Sequence, residues 1–431
     1  MDYFYNYLTM ESALNLDRIA HSKITKKFRT DNKQLLFSRG KDGTVWDDLG
    51  RPYLDFVMGY GPVIIGHANI EYNERICSLL ANGMMMPGYS EFHEKYLGHL
   101  LRDRPGDRGA FFKTASEAVT AAFRLAAMEN GRLGIIRAGY VGWHDSQVAN
   151  SLKWHEPQNS PLREQLRYTQ AMRGVGPDEP ILNWVDLQLE SLETLLEENA
   201  GRLGCFVFDA YLADRTSPTI LAEALAMCRK AGLLTVFDET KTGGRISPLG
   251  YAHDNALGAD MIVLGKALAN GAPISVLVGN RELMAHAEQA RLSGTFSKEM
   301  VTVYAATVTA DILERPIGAS ADGWQELGTI GTAIAATITE AATRVGVADF
   351  VRAEPVLGGS MFELVYGDHV LGNKKWRSEL LQAFSAEGIL LLEGHPSFVC
   401  LAHREIDHED LTQRAVRALR SWALECEVHH D

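Results

Sequence analysis

Two apolar runs in this chain each end on a chemically reactive pair. Leu233-Leu234-Thr235-Val236-Phe237 stops at Asp238 and Glu239, and Met261-Ile262-Val263-Leu264 delivers Gly265 and Lys266. Apolar runs of this length, separated by helical or loop segments, fit strands covered on both faces, the pattern of a parallel sheet. Ligands of such sheets bind beyond the carboxyl ends of the strands. Asp238 and Lys266 should therefore face one crevice. A buried amine beside a buried acid suits a lysine that forms a Schiff base with an aldehyde cofactor, while the acid pairs with the cofactor's pyridinium nitrogen. The competing reading is an ordinary core strand with a salt-bridged Asp and a surface Lys.

At 431 residues the chain is long for one core, so two or three domains are expected. The division read here is 1–70 as an N-terminal segment contributing to a small domain, 71–310 as the large cofactor-binding domain and 311–431 as the C-terminal small domain. A net charge of −13 argues against nucleic acid or an anionic membrane as partner. No apolar stretch approaches the roughly 20 residues needed to cross a bilayer. Met1-Asp2-Tyr3-Phe4-Tyr5 lacks the basic-then-apolar order of a signal peptide. Cys77, Cys205, Cys228, Cys400 and Cys426 have no metal-ligand spacing and read as free thiols. A cytoplasmic protein without a metal site is expected.

Lys23, Lys26, Lys27 and Arg29 read as a solvated helix end, with Arg29 reaching an active site as the alternative. Asp42-Gly43 and Leu49-Gly50 punctuate three short strands between Leu35 and Phe56. Gly59-Tyr60-Gly61-Pro62 follows, either a plain turn or a place where backbone approaches a ligand. Ala110-Phe111-Phe112-Lys113 runs as a strand into Thr114-Ala115-Ser116-Glu117-Ala118, which opens a helix through Met128. A helix N-terminus is a phosphate site by its free N–H groups and dipole, although Ser and Thr also cap helices without any ligand. Further strands end at Arg137, ahead of Tyr140, and at Asp209. Residues 151–184 form a long loop, and 301–345 read as Ala- and Thr-rich helix. Asp407 and Asp410 look like the N-cap and N3 acid of a final helix, Leu411–Leu424.

Phe237-Asp238-Glu239-Thr240-Lys241-Thr242-Gly243-Gly244-Arg245, followed by Ala259-Asp260-Met261-Ile262-Val263-Leu264-Gly265-Lys266, resembles the signature of class III aminotransferases. Within them it is most similar to the glutamate-semialdehyde aminomutase branch, and the likeness runs from about Leu35 to Leu424. The resemblance implies an α/β protein of pyridoxal-phosphate fold type I. That is a mostly parallel seven-stranded sheet with helices on both faces, plus a small α+β domain built from both chain ends. It implies pyridoxal 5'-phosphate on Lys266 with its ring nitrogen on Asp238. The family's phosphate-binding small residues match Thr114, Ala115 and Ser116, with Ala115 in place of Gly. Its ring-stacking aromatic matches Tyr140, and its Glu-Pro falls on Asp209-Ala210. The Asn that contacts the phenolic oxygen falls on Asp214. Gly294 and Thr295 match the motif that reaches the cofactor phosphate of a neighbouring subunit, which implies a homodimer with composite sites. Lys298-Glu299-Met300 depart from that motif's Gly-Asn-Pro. Arg29, Tyr60 and His395 fall at substrate-side positions, and the loop over 151–184 falls on the branch's mobile gate.

The implied function is amino-group transfer between a small amine or amino acid and an oxo compound. Ala115, Val141, Asp209-Ala210 and Lys298-Glu299-Met300 argue against an ordinary haem-pathway aminomutase and for a specialised biosynthetic pathway. Amine migration, racemisation or epimerisation, and a non-catalytic family member stay open. A Rossmann-type nucleotide binder is excluded, because no Gly-x-Gly-x-x-Gly follows the first strands.

Overall fold

The computed structural model describes residues 28–30, 33–141 and 181–426. Lys23, Lys26 and Lys27, nearly all of the 151–184 loop and the side chain of Arg29 lie outside the described residues.

The central sheet has seven strands: β1 (Asp107–Phe112), β2 (Gly134–Ala138), β3 (Ile181–Asn183), β4 (Leu203–Asp209), β5 (Leu234–Asp238), β6 (Met261–Leu264) and β7 (Ser275–Asn280). Their order is β1-β7-β6-β5-β4-β2-β3. From β6 to β3 every neighbouring pair is parallel, while β7 runs antiparallel to both β6 and β1. Alternate side chains of a strand point to opposite faces, and here both faces are covered. Cys205, Val207, Val236 and Val263 pack with helix α1 (Ala115–Asn130), whose Ala118, Ala122, Leu125 and Ala126 face the sheet. Phe206, Phe208 and Phe237 point the other way, into a core that includes Trp184. Two-sided burial is why these strands read as unbroken apolar runs.

The chain's two ends meet beside this sheet. Phe37–Lys41, Thr44–Asp47 and Pro52–Asp55 form the expected meander, turning at Asp42 (φ 54°) and Gly50 (φ 79°). Ile389–Leu390 adds to it in parallel along Pro52–Asp55. Val351–Val356, Met361–Tyr366 and Ser397–Phe398 make a second small antiparallel sheet.

The helix expected over 301–345 is in fact two, α2 (Met300–Leu313) and α3 (Gly323–Val345). Pro316 and Gly318 (φ 61°) cannot continue a helix, so the chain reverses there. The last helix, α4 (His408–Glu425), begins at Asp407, whose carboxylate accepts the amides of Glu409 and Asp410. No helix among the described residues is long and apolar enough to cross a membrane.

Arg245 ties these parts together. It is fully buried, and its guanidinium donates to the carbonyls of Ser360 (3.2 Å), Val399 (2.8 Å), Gly61 (2.8 Å) and Val63 (3.3 Å). Burial pulls it down to about 10, which leaves it charged at neutral pH. Arg245→Met would strand four buried acceptors from both chain ends. The expected cost is about 3 kcal/mol or more, read as a lower denaturation midpoint. An unchanged midpoint would mean that those carbonyls find other donors.

Candidate active site

The carboxyl ends of β4, β5 and β6 bring the candidate groups together. Asp238 closes β5 in register with Asp209, which closes β4. Beyond β6 the chain passes through Gly265, where an added Cβ would lie 3.3 Å from the Ala115 Cβ. Lys266 then opens a short 3-10 turn with φ 45°. That left-handed conformation is costly for a residue with a Cβ, and such strain concentrates at functional positions. The Lys266 ammonium reaches the Phe398 ring, 5.7 Å from its centroid.

Asp238 is 2% exposed. Its Oδ1 accepts the Thr240 amide (3.0 Å) and the Thr240 hydroxyl, and no cation bonds the carboxylate among the described residues. Burial first, then the neighbouring Asp209 charge, pushes its carboxyl above the usual range. Asp209 is better provided. It accepts Lys241 Nζ at 2.5 Å and the amides of Tyr140 and Tyr211 at 3.2 Å each. The Tyr140 amide reaches it through Gly139 (φ 88°), where an added Cβ would sit 2.5 Å from Asp209 Cβ. Burial lowers the Lys266 amine to about 7; Lys241 and Arg245 push the same way, while Asp209 and Asp238 oppose them. Near neutral pH a large share of this lysine is the neutral nucleophile.

Three candidates from distant parts of the chain converge beside this pair. The His395 ring lies 6.2 Å from Tyr60 and 6.0 Å from Tyr140, edge-on to both. At the start of α1, Thr114 is occupied as the N-cap: it accepts the Glu117 amide (3.3 Å), and Glu117 accepts the Thr114 amide in return (2.8 Å). Helix geometry leaves the amides of Ala115 and Ser116 without intrahelical partners. Ala115 is accommodated because the residue facing it is Gly265.

Other candidates lie apart. Asp214 is carried away by the 3-10 turn Ala210–Arg215 to an exposed position, where it accepts the Leu357 amide at 3.2 Å. Among the described residues it joins none of the groups around Lys266. Arg29 pairs through its backbone with Gln34. Thr295 is exposed on the surface of the single chain, next to a Phe296 that is 60% exposed. The departure at Lys298-Glu299-Met300 has a local explanation. Glu299 caps α2 through the amides of Val301 and Thr302, and it takes Lys113 Nζ at 2.8 Å.

Lys241 is the residue that the motif reading passes over. Its signal in the sequence is a charged residue three positions beyond a buried strand-end acid.

The residues present fit pyridoxal phosphate. No cation bonds Asp238 among the described residues, the Lys266 amine is lowered to about 7, and a helix N-terminus opens close by. The class III aminotransferase family model matches residues 27–421. The chain belongs to that family, and its fold is the pyridoxal-phosphate fold type I. It is 29% identical over 292 residues to a 3-aminobutyryl-CoA aminotransferase of Cloacimonas acidaminovorans, covering 65% of this chain and 66% of that protein. It is 28% identical over 285 residues to a 2'-deamino-2'-hydroxyneamine transaminase of Streptomyces kanamyceticus, covering 65% and 67%. The matched stretch thus spans about two thirds of the length of these relatives. A glutamate-1-semialdehyde 2,1-aminomutase of Methanocella arvoryzae is 24% identical over 411 residues, 89% of this chain and 91% of that one. Among solved structures, an omega-transaminase from Sphaerobacter thermophilus superposes with a TM-score of 0.77 at 20% identity, covering 94% and 95% of the two chains. At that identity the likeness is one of fold.

Proposed function

We propose that this protein is a pyridoxal-phosphate-dependent aminotransferase that moves an amino group between a small amine or amino acid and an oxo compound. The observation that carries this reading is the juxtaposition of Lys266, an amine lowered to about 7, with Asp238, a buried carboxylate without a cation among the described residues. When bound, the cofactor supplies an electron sink for negative charge developing at the substrate carbon. Lys266 would hold the cofactor through its amine and would move the proton to and from the substrate carbon. Asp238 keeps the ring nitrogen protonated. The Ala115 and Ser116 amides and the Ser116 hydroxyl take the phosphate at the α1 N-terminus. Tyr140 would cover the ring, with Tyr60 and His395 on the substrate side.

Incubation with candidate amines, with and without an added oxo acid, tests this reading. Turnover is expected only when the oxo acid is present. Full turnover without any acceptor would contradict it and favour amine migration, the reaction for which the aminomutase relatives are named, or inversion at the substrate carbon.

The working form in this reading is a homodimer with composite sites, in which Gly294 and Thr295 of one copy reach the phosphate site of the other. Exposed Met84 (56%), Met85 (41%) and Phe296 (60%) support it. They lie together, since Met85 bridges Glu299 and the Met300 amide bonds the Met84 carbonyl at 3.1 Å. Light scattering should give twice the chain mass, and Phe296→Asp should yield monomers that hold the cofactor weakly. A monomeric wild type with full cofactor occupancy would contradict the composite site. A specialised biosynthetic role in the cytoplasm completes the proposal, supported by the free thiols Cys205, Cys228, Cys400 and Cys426 in the interior.

A further inference from the structure

Lys241 is buried in the crevice, 5% exposed, yet it has no part in the chemistry above. The chain after Asp238 makes a tight turn that aims it. Glu239 turns inward to accept the amides of Tyr251 (3.0 Å) and Ala252 (2.7 Å), and Thr240 folds back onto Asp238. Lys241 is thereby sent across the end of β5 to Asp209, at 2.5 Å. Two rings flank its ammonium, Tyr140 with its centroid at 5.2 Å and Tyr211 at 4.8 Å. Tyr211 is itself fixed, because its hydroxyl donates to Glu363 (2.7 Å), which also holds Arg215 (2.7 Å). Burying a flexible lysine is unfavourable unless its charge is matched, and Asp209 and the two rings match it. Asp209 in turn lies in register with Asp238. Two unneutralised carboxylates at adjacent strand ends would oppose each other's ionisation.

We propose that Lys241 is a positioning residue of this site: its ammonium neutralises Asp209, leaves Asp238 as the carboxylate offered to the cofactor ring, and sets a fixed positive charge beside the Lys266 amine. The proposal rests on the reading of Lys266 and Asp238 given above. Among the described residues, the charged groups facing Lys266 are Lys241 and Arg245, which disfavour its protonation, and Asp209 and Asp238, which favour it. Arg245 is held on four carbonyls and stays in place when Lys241 is altered. Without Lys241 the amine loses the stronger of its two opposing cations and retains its proton to higher pH. At fixed neutral pH it then reacts more slowly with an electrophile.

The test uses full-length protein stripped of cofactor. Lys266 is acylated with acetic anhydride across a pH series, and its modification is read by peptide mass spectrometry. Half-maximal reactivity is expected near pH 7 in the wild type. It should lie about one pH unit or more higher in Lys241→Met, and return toward the wild-type value in Lys241→Arg. If Lys241→Met does not fold, Lys241→Gln keeps a donor for Asp209 and should show the same upward movement. An unchanged Lys266 profile in a folded Lys241→Met or Lys241→Gln protein overturns the proposal and leaves Lys241 a structural tie. Failure of the cofactor reading would show differently, as cofactor trapped on another lysine in the wild type.

Discussion

Lys266→Ala is expected to reduce turnover by about 10⁴-fold or more, since the substitution removes both the nucleophile and the proton carrier. The fold should survive it. Lys266 sits on the short 3-10 turn beyond β6, outside the hydrogen-bonded strand. Linkage adds a second, independent signature. The amine is lowered from 10.5 to about 7 in the folded protein, so folding is disfavoured wherever the unfolded chain would hold that proton. Cofactor-free Lys266→Ala should therefore be more stable than cofactor-free wild type below about pH 7. The difference should shrink as pH rises from 7 toward 10.5. Turnover near the wild-type rate would contradict the role of Lys266, and stability curves that stay parallel with pH would contradict its lowered amine.

Asp238→Asn is expected to slow proton removal from the substrate carbon by on the order of 10²-fold or more. The shape is conserved, and the amide oxygen can still accept the Thr240 bonds that Oδ1 accepts now. The negative charge is lost. Charge-assisted hydrogen bonds are roughly twice as strong as neutral ones, so the ring nitrogen would no longer hold its proton and the electron sink would weaken. Exchange of the substrate's α-hydrogen for deuterium reads this step directly. Cofactor binding should fall less, because the phosphate contacts at Ala115, Ser116 and the partner copy's Thr295 motif are untouched in this reading. Exchange at the wild-type rate would make Asp238 a structural strand-end acid, and the crevice would have to be reassigned around Asp209.

The parts of this site legible in the sequence are those whose position follows from local pattern. Apolar runs ending at Asp238 and just before Lys266 identify two-sided strands, and strand ends in a parallel sheet fix where the side chains emerge. Asp42-Gly43 and Leu49-Gly50 mark their turns because few other residues adopt a positive φ. The convergence of Tyr60, Tyr140 and His395 could not be read from spacing; it came through the family resemblance and depends on how the chain ends pack. Lys241 escaped notice for a physical reason. Its direction is set by the turn that Glu239 and Thr240 make, and its partner Asp209 lies on another strand, so neither is visible in the local pattern. Asp214 shows the reverse error of counting positions along a motif, since a 3-10 turn carries it out of the cluster. The break between α2 and α3 was legible in Pro316 and Gly318, and was hidden by the Ala- and Thr-rich composition on either side.

The central claim is that Lys266 carries the cofactor, and one measurement reaches it most directly. The wild-type protein is loaded with pyridoxal phosphate, reduced with borohydride, digested, and searched by mass spectrometry for the reduced adduct. The expected result is loss of the visible absorbance band together with a single modified peptide, that containing Lys266. An adduct on Lys241 or any other lysine, or none at all, would contradict it.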